Sequence, residues 1–521
     1  MSLPSIFNDV IGPVMRGPSS SHCAAALRIG RLARDLMGGR PDSVLVEHDI
    51  HGSLATTHRS QGSDMGLAAG LLGWDATEAR LPQAEQAAAE SGIHIETRIL
   101  DFGAEHPNTY RLTLRNPHAG HTLSAISTGG GIFQVTALDG VSLTMDGDTY
   151  ETLIYLDRDP GPVVALLDES FAADAILVFE RPDGYLVEVK GQSFLPAAVL
   201  AQLRTQGPLA ALIPLAPVMP VLSRRDLAVP FTTCGELLRY DAGREQPLSE
   251  LAIAYECRRG NLTREQVLAQ MQAIARIMQA STREGLAGTT YADRILGPQA
   301  GQLQAAAQAG RLLDGGMLNQ IIAYVTAMME VKSALGVIVA APTAGSCGVL
   351  PGCCLGAADY LGLPLEAVTE ALLAAGQIGL FIASGATFAA EMGGCQVECG
   401  AGSGMAAAAL VTLARGTLAQ ALAAASMALQ NTLGLICDPV ANRVEVPCLG
   451  KNVMAAANAL ACANLALAGY DPVIPLDEVV VTMKRVGLEL PRSLRCTGLG
   501  GLSTTPTAQM IELRFRGEVI R

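Results

Sequence analysis

The spacing of hydrophobic and polar positions changes twice along the chain, which predicts three regions. Residues 1–150 mix apolar positions at helical spacing, as in ALRIGRLARDLM, with alternating segments such as GHTLSAISTGGGIFQVTAL. Alternation is typical of strands with one buried face, whereas repeats of three and four are typical of amphipathic helices. The first 150 residues therefore predict an α+β domain.

Residues 151–210 predict a small module of the form βαββα. A strand-like run ends at an Asp-Pro-Gly turn and is followed by a helix, and AILVFERPDGYLVEVKG is typical of a hairpin that turns at Pro-Asp-Gly. Five prolines lie between residues 207 and 231. We therefore expect residues 211–233 to form a linker.

From residue 234 to residue 521 the pattern predicts a mostly α-helical domain. Thr263 precedes apolar positions at helical spacing, which is typical of a helix cap. The long Ala-rich helices are interrupted by loops in which Cys stands among Gly, and Gly permits close approach of a ligand to the backbone. These loops are APTAGSCGVLPG, EMGGCQVECGAGSG, CDPVANRVEVPCLGKN and CTGLGGLSTTPT.

Composition narrows the classes of partner. The net charge is -13, which argues against proteins that neutralise nucleic-acid phosphates or bind anionic lipid. The uncharged run between Glu370 and Glu391 is long enough to span a bilayer, yet it is rich in Ala, Gly, Ser and Thr, so we favour a buried helix. The first 22 residues show no basic segment followed by an apolar one, so we expect a cytoplasmic protein.

Cysteine and histidine are segregated. All eight His lie at or before position 121, and ten of the 12 Cys lie after position 250. A cytoplasmic protein keeps its thiols reduced, so a disulfide framework is not expected. A site that needs both imidazole and thiolate must form where the two halves of the chain meet.

Three cysteines stand out because each lies in Gly- or Pro-rich text at the edge of a helical run: Cys395, Cys437 and Cys448. Iron–sulfur clusters are held by such thiolates. The spacing alone matches no general cluster pattern, and small buried thiols are the alternative interpretation.

Six short motifs occur in a fixed order along the chain. They are GPSSSH at 17–22, HGSL at 51–54, APTAG at 341–345, GCQ at 394–396, GLICDPV at 434–440 and VPC at 446–448. With these motifs the chain resembles the iron–sulfur-dependent L-serine dehydratases, also called L-serine ammonia-lyases, over nearly its whole length. The resemblance implies a β domain and an α domain fused in one chain, with an ACT-like insert between them.

The resemblance also implies a set of functional residues. A [4Fe–4S] cluster would be held by Cys395, Cys437 and Cys448, with one iron left open to bind L-serine as a Lewis acid. His22 is the leading general base, although a helix cap is the alternative interpretation of the SSSH run. The other expected residues are Ser19, Ser20, Ser21, Asp64 and His58 for catalysis, and Ser53, Thr343 and Gly345 for substrate. The turn at 157–161 resembles the effector turn of ACT domains, which bind free amino acids, so Asp157, Asp159 and Gly161 are expected to bind an amino-acid effector.

Departures from the family pattern surround the expected pocket. Cys23 stands where the family usually has Thr, Gln61 where relatives commonly have His, and Ala344 where many have Asn. His58 is a candidate to replace the imidazole missing at position 61. Some relatives place a C-terminal Cys on the open iron, whereas this chain ends GEVIR, which leaves Cys347, Cys399 or Cys496 as substitutes.

Three rival functions stay open at this stage. A pyridoxal-phosphate lyase would need a Schiff-base lysine, and the chain has only Lys190, Lys332, Lys451 and Lys484. A non-enzymatic amino-acid sensor would use the ACT-like module alone. The same fold could also act on another β-hydroxy or β-thiol amino acid. A homodimer is expected because ACT modules often pair.

Overall fold

The computed structural model describes residues 3–517, so most of the terminal GEVIR segment lies outside the described residues. The elements of the first region are β1 (Val14–Met15), α1 (Ala25–Leu36), β2 (Ser43–Asp49), α2 (Leu54–Thr57), α3 (Ser63–Leu72), α4 (Ala84–Glu90), β3 (His94–Leu100), β4 (Thr109–Arg115), β5 (Gly120–Gly129), β6 (Ile132–Leu138) and β7 (Val141–Met145). Six of the strands form a sheet in the order β3-β2-β4-β5-β6-β7, which is antiparallel except for the β2–β3 pair. This mixture of sheet and helices confirms the predicted α+β character of the region.

Helices α1 and α3 pack face to face beside this sheet, and glycine permits their contact. A Cβ on Gly70 would overlap the backbone of Leu27, and a Cβ on Gly30 would overlap the carbonyl oxygen of Leu67. The two backbones therefore lie closer than any larger residue would allow. This packing fixes the positions of the segments before α1 and before α3, which carry the GPSSSH motif and the 58–64 loop.

The small module has the form βαββαβ, one strand more than predicted. Its strands form an antiparallel sheet in the order β11-β8-β10-β9, with a separate hydrophobic core. The fourth strand lies inside the expected linker because Pro214 sits on an edge strand, where proline is tolerated. The elements are β8 (Tyr150–Leu156), α5 (Gly161–Ser170), β9 (Ala175–Arg181), β10 (Gly184–Gly191), α6 (Ala197–Thr205) and β11 (Ala211–Leu215).

The third region is helical, as predicted, apart from β12 (Ile338–Val339), which pairs with β1. Thr263 caps α9 as expected, with Gln266 completing a capping box. The helices are α7 (Cys234–Asp241), α8 (Leu248–Gly260), α9 (Arg264–Ala287), α10 (Ala300–Gln308), α11 (Met317–Ser333), α12 (Val349–Leu361), α13 (Leu365–Gly385), α14 (Ala390–Gly393), α15 (Cys399–Leu413), α16 (Leu418–Gln430), α17 (Cys448–Leu467), α18 (Leu476–Glu489) and α19 (Pro506–Arg516).

Helix α13 lies at the centre of this region. Among the described residues it is the one helix long and apolar enough to cross a membrane, and 78% of its most apolar stretch is buried inside the protein. Ile6 and Val10 from the N-terminal region pack against Gly376 and Gly379 of α13. One hydrophobic core therefore runs through both large regions, and their polar loops meet beside it.

Candidate active site at the junction of the two large regions

His22 lies at the centre of a buried polar cluster. Its side chain is inaccessible to solvent, and burial lowers its pKa to about 3, so the imidazole is neutral at pH 7. Nε2 lies 2.7 Å from the hydroxyl of Thr57, and Nδ1 lies 3.0 Å from the hydroxyl of Ser21 and 3.2 Å from that of Ser19. Glu391, from the helical region, is 3.6 Å from Nδ1.

The hydrogen-bond pattern assigns the tautomer of His22. The Thr57 hydroxyl donates to the carbonyl oxygen of Ser53 at 2.7 Å, so it must accept from Nε2. The proton of the neutral ring is therefore on Nε2, and the lone pair of Nδ1 faces the serine hydroxyls. The Ser21 hydroxyl donates to Glu391 at 3.0 Å.

The serine run is not an ordinary helix cap. Ser19 precedes the helical turn Ser20–Ala24, but its side chain makes no capping hydrogen bond. The Ser20 hydroxyl instead accepts a 3.1 Å hydrogen bond from the backbone N–H of Ala344. The run therefore connects His22 to the loop that carries Thr343 and Gly345.

That loop brings a second carboxyl group to the junction. The Thr343 hydroxyl donates to Glu398 at 2.7 Å, and a Cβ on Gly345 would lie 2.8 Å from the same carboxyl oxygen. Burial, followed by repulsion from Cys395, raises the pKa of Glu398 to about 8. Asn452 fixes the loop by donating to the Gly345 carbonyl oxygen at 2.8 Å.

Ser53 anchors the N-terminal side of the junction. Its hydroxyl donates to the carbonyl oxygen of Cys496 at 2.9 Å, and the nearby Thr56 hydroxyl donates to the carbonyl oxygen of Thr497 at 3.0 Å. Residues more than 400 positions apart are thus joined by direct hydrogen bonds. The structure places Ser53, Thr343, Gly345, His22 and the serine run at the same junction.

Cys395, Cys437 and Cys448 are buried, with 3%, 6% and 7% of their surface exposed, and all are free thiols. Cys395 follows Gly394, whose φ of 72° permits the turn out of α14, and Cys448 begins α17. Cys437 lies in an extended segment, and its backbone N–H donates to the Leu494 carbonyl oxygen at 2.8 Å. The three cysteines are therefore positioned by the turn after α14, by this extended segment and by the start of α17.

The three thiols share one electrostatic environment. Burial is the largest cause that raises the pKa of Cys448, and repulsion from Cys395 adds to it. A hydrogen bond to Cys496 and then burial raise the pKa of Cys437, again with a contribution from Cys395. A hydrogen bond from Cys399 lowers the pKa of Cys395 to about 7. Cys399 and Cys496 thus accompany the predicted trio.

Two lysines supply positive charge beside these thiols. Lys332 is fully buried and its Nζ has no hydrogen-bond partner within residues 3–517, yet its charge lowers the pKa of Cys448. Lys451 donates to Asp438 and to the Ile436 carbonyl oxygen, both at 2.7 Å. An uncompensated buried ammonium is costly, so this environment suits an anionic group held by the cysteines.

The spacing of the thiols also bears on what they could hold. In the part of the chain that the structure describes, the one set of three His, Cys, Asp or Glu ligand atoms all within 4.8 Å of one another is His48, His58 and Asp64. The sulfur atoms of Cys395, Cys437 and Cys448 therefore do not all lie within 4.8 Å of one another. A four-iron cluster binds each thiolate to a different iron, so it does not require the three sulfur atoms to converge on one ion.

His58 and Asp64 lie together on the N-terminal region. His58 Nδ1 is 2.8 Å and 2.9 Å from the two Asp64 oxygens. Both side chains line a cavity of about 460 Å³ on the N-terminal region, together with Glu85. Gln61, which stands where relatives commonly have His, donates to the Cys496 sulfur at 3.3 Å.

The predicted effector turn lies far from this junction, on the small module. Asp157 and Asp159 are exposed, and Asp159 accepts a 3.2 Å hydrogen bond from the N–H of Gly161, where α5 begins. These three residues therefore form one exposed turn between β8 and α5.

Sequence reasoning missed four groups at the junction: Glu391, Glu398, Lys332 and Thr57. A signal for the two acids was present, because they bracket Cys395 in an otherwise uncharged segment, EMGGCQVE. Neither Lys332 nor Thr57 carries such a local signal. Both are placed by contacts between segments distant in sequence.

Comparison with known proteins gives the family. The model of the serine dehydratase beta chain matches residues 7–137, and that of the serine dehydratase alpha chain matches residues 244–503. A Bacillus subtilis (strain 168) protein named "Probable L-serine dehydratase, alpha chain" is 39% identical over 287 residues, which cover 55% of this chain and 96% of that relative. The chain belongs to the serine dehydratase family.

Two further family members describe the arrangement of the regions. The B. subtilis "Probable L-serine dehydratase, beta chain" is 43% identical over 148 residues, 28% of this chain and 66% of the relative. A Haemophilus influenzae protein named "L-serine dehydratase" is 25% identical over 508 residues, 94% of this chain and 96% of the relative. The chain thus joins alpha-like and beta-like regions, and the small module lies between the two family matches.

Proposed function

We propose that this protein is an L-serine ammonia-lyase that converts L-serine to pyruvate and ammonia. Serine loses its α-proton and its β-hydroxyl as water, and the resulting enamine tautomerises to an imine that water hydrolyses. Relatives named L-serine dehydratase support this assignment. The observation that carries it is the set of contacts that leads from the His22 segment, through Ser20 and Ala344, to the Thr343–Glu398 pair, whose carboxyl group is repelled by Cys395.

Cys395, Cys437 and Cys448 are the residues that would hold a [4Fe–4S] cluster. When bound, such a cluster supplies Lewis-acid chemistry toward the substrate's oxygens. The buried ammonium groups of Lys332 and Lys451 would offset the negative charge that three thiolates bring into a region of low polarity. The donor set and its surroundings thus favour this cofactor.

His22 is the proposed general base, acting at Nδ1. The neutral ring carries its proton on Nε2, where Thr57 holds it, so Nδ1 is the nitrogen whose lone pair can accept the α-proton of the substrate. The hydroxyl of Ser19 can relay that proton to Nδ1, because the single hydrogen of the Ser21 hydroxyl is donated to Glu391. Glu391, 3.6 Å away, would stabilise the imidazolium that forms.

Thr343 and Glu398 would orient the substrate from the helical side. The raised pKa of Glu398 keeps most of its carboxyl protonated at pH 7, so it can accept from Thr343 and donate in turn. Gly345 leaves room beside it, because a side chain there would press against the carboxyl group. Asp64 and His58 are not needed for these steps.

The pyridoxal-phosphate alternative has less support. Lys451, the lysine nearest in sequence to the cysteines, is engaged by Asp438 and by a backbone carbonyl group. A Schiff-base lysine needs a free amine. Lys332, whose Nζ has no hydrogen-bond partner among the described residues, acts on the Cys448 thiol instead. Three thiols gathered around the junction have no role in that chemistry.

The same proposal extends to regulation and assembly. The βαββαβ topology of the small module supports its interpretation as an ACT-like module that binds an amino-acid effector at Asp157, Asp159 and Gly161. We also propose that the protein is cytoplasmic and forms a homodimer. These assignments are independent of the reaction itself.

The experiment is reconstitution of the purified chain with iron and sulfide under nitrogen, followed by pyruvate assays with serine, threonine and cysteine. We expect about four irons per chain and pyruvate formation that is fastest with serine. Full activity in colourless, iron-free protein would refute the cluster. Faster turnover of another β-hydroxy or β-thiol amino acid would change the proposed substrate but not the proposed reaction type.

A further inference from the structure

A second group of ligand-bearing side chains lies outside the cysteine pocket. His48 is the second-last residue of β2, His58 follows α2, and Asp64 belongs to the first turn of α3. One ligand atom from each lies within 4.8 Å of the other two. The proposed dehydration uses none of the three.

His48 presents an unused nitrogen to this group. Its side chain is fully buried, Nδ1 faces the Thr109 carbonyl oxygen at 3.5 Å, and Nε2 has no hydrogen-bond partner among the described residues. Burial lowers the pKa of His48 to about 4, so the ring is neutral at pH 7. With its proton on Nδ1, the ring holds a bare lone pair at Nε2, which is the form of imidazole that binds metals.

His58 and Asp64 supply the remaining donors. The Asp64 carboxylate lies 2.8 Å from His58 Nδ1, and each side chain is only about one-sixth exposed, at 15% and 17%. The ring of His58 lies 5.5 Å from the ring of His48, centroid to centroid. Two imidazoles and a carboxylate therefore converge on a site with limited access to water.

We propose that His48, His58 and Asp64 bind one divalent transition-metal ion of the zinc class. Imidazole and carboxylate are ligands that Zn²⁺ prefers, with bonds of about 2.0–2.2 Å. Tetrahedral ligands on such bonds lie about 3.3 Å apart, whereas the present atoms lie within 4.8 Å of one another, so rotation of the side chains must bring them closer by up to about 1.5 Å. The carbonyl group of Thr109 would orient the His48 ring, as outer partners of metal-bound histidines do.

The cavity beside the site leaves room for a fourth ligand. It is lined by His58, Asp64, Glu85 and His94. Burial, followed by repulsion from Asp64, raises the pKa of Glu85, which places this carboxyl group near the site. A water molecule or Glu85 can thus complete the coordination shell.

An ion at this position would tie β2, α2 and α3 together. The segment it would hold includes Thr57, which contacts His22, and Gln61, which contacts Cys496. The ion would therefore act as a structural link that steadies the N-terminal side of the junction. This inference does not depend on the identity of the substrate or on the cluster.

The test uses the full-length, cluster-loaded protein under nitrogen, so that the cysteines are already occupied. Isothermal titration with ZnCl₂, then gel filtration and metal analysis, should give one zinc per chain in addition to the cluster iron. Zinc-edge X-ray absorption should show nitrogen and oxygen neighbours at about 2.0–2.2 Å and no sulfur near 2.3 Å.

Two variants locate the ion, and one serves as a control. His48→Val and Asp64→Asn should each weaken zinc binding at least tenfold, while His94→Ala, which removes an exposed imidazole from the same cavity, should not. Circular dichroism verifies that the variants fold. The proposal would be overturned by the absence of stoichiometric zinc or by sulfur ligation of the zinc. It would also be overturned if either folded variant bound zinc as tightly as the unmodified protein. If the cluster proposal is wrong and the zinc proposal is right, the zinc-edge spectrum of iron-free protein should still show nitrogen and oxygen neighbours.

Discussion

The side-chain amide of Gln61 donates a 3.3 Å hydrogen bond to the sulfur of Cys496. Cys496 is paired in turn with Cys437, whose carbonyl oxygen accepts from the Cys496 N–H at 2.9 Å. A polar group of the N-terminal region thus reaches the thiol next to a proposed cluster ligand. The two regions therefore contribute jointly to the surroundings of Cys437, one of the proposed cluster ligands.

Gln61→Ala should make the cluster less durable in air. Loss of one buried hydrogen bond costs about 1 kcal/mol, which corresponds to about fivefold faster bleaching of the brown absorbance on exposure to oxygen. Iron content before exposure should be unchanged. Gln86→Ala, on the exposed face of α4, is the control. Identical bleaching rates in both variants would show that the contact with Cys496 has no protective role.

Cys437→Ala should abolish both the brown colour and turnover. Removal of one of three proposed thiolates leaves the cluster incompletely held, and loss of several kcal/mol of Lewis-acid stabilisation lowers the rate by about 10³-fold or more. Cys353→Ala, which removes another buried thiol from within α12, should keep its iron. A fully active Cys437→Ala protein would remove this cysteine from the cofactor site.

His22→Ala should lower turnover without removing the proposed cluster. Iron content and colour should stay at the level of the unmodified protein, while kcat for serine falls by about 10²–10⁴-fold, the usual contribution of general base catalysis. His118→Ala, an exposed imidazole on the same region, should be neutral. Unchanged kinetics in His22→Ala would place the base elsewhere.

Local features of the fold were predictable from the sequence, whereas long-range ones were not. The Pro-Asp-Gly hairpin between β9 and β10 and the Thr263 cap depend on neighbouring residues, and both are observed. Strand β11 was missed because proline suggested a linker, although an edge strand accepts Pro214. The pairing of β1 with β12 joins segments more than 300 residues apart and leaves no local pattern.

The candidate site shows the same division. The cysteines and the serine run were found because their motifs occur in a characteristic order. Glu391 and Lys332 were missed because their roles follow from burial and from distant partners, such as the 370-residue separation between Ser21 and Glu391. His48 was missed as well, since an unpaired ring nitrogen becomes visible only after the surrounding elements have packed.

The stability of the protein should fall as the pH decreases below about 6.5, in part because of His22. Its folded-state pKa of about 3 lies below the ordinary value of 6.5, so the unfolded chain binds more protons in this range. Between pH 7 and pH 5 this residue alone removes about 2 kcal/mol from the free energy of unfolding. Urea titrations should therefore show a loss that is smaller by about that amount in His22→Gln. An equal loss in both proteins would show that the ring is not held neutral.

Asp159→Ala should change the shape of the rate-versus-serine curve while leaving the maximal rate within about twofold, because the small module lies away from the reacting groups. Asp159 accepts from the N–H of Gly161 in an exposed turn, so its removal loosens the proposed effector site. Asp183→Ala provides the matched control, since it removes an exposed carboxylate from the hairpin turn of the same module. Steady-state assays over a wide range of serine concentrations compare the three proteins. If the curves of Asp159→Ala and Asp183→Ala coincide with that of the unmodified chain, the turn between β8 and α5 has no regulatory role toward serine.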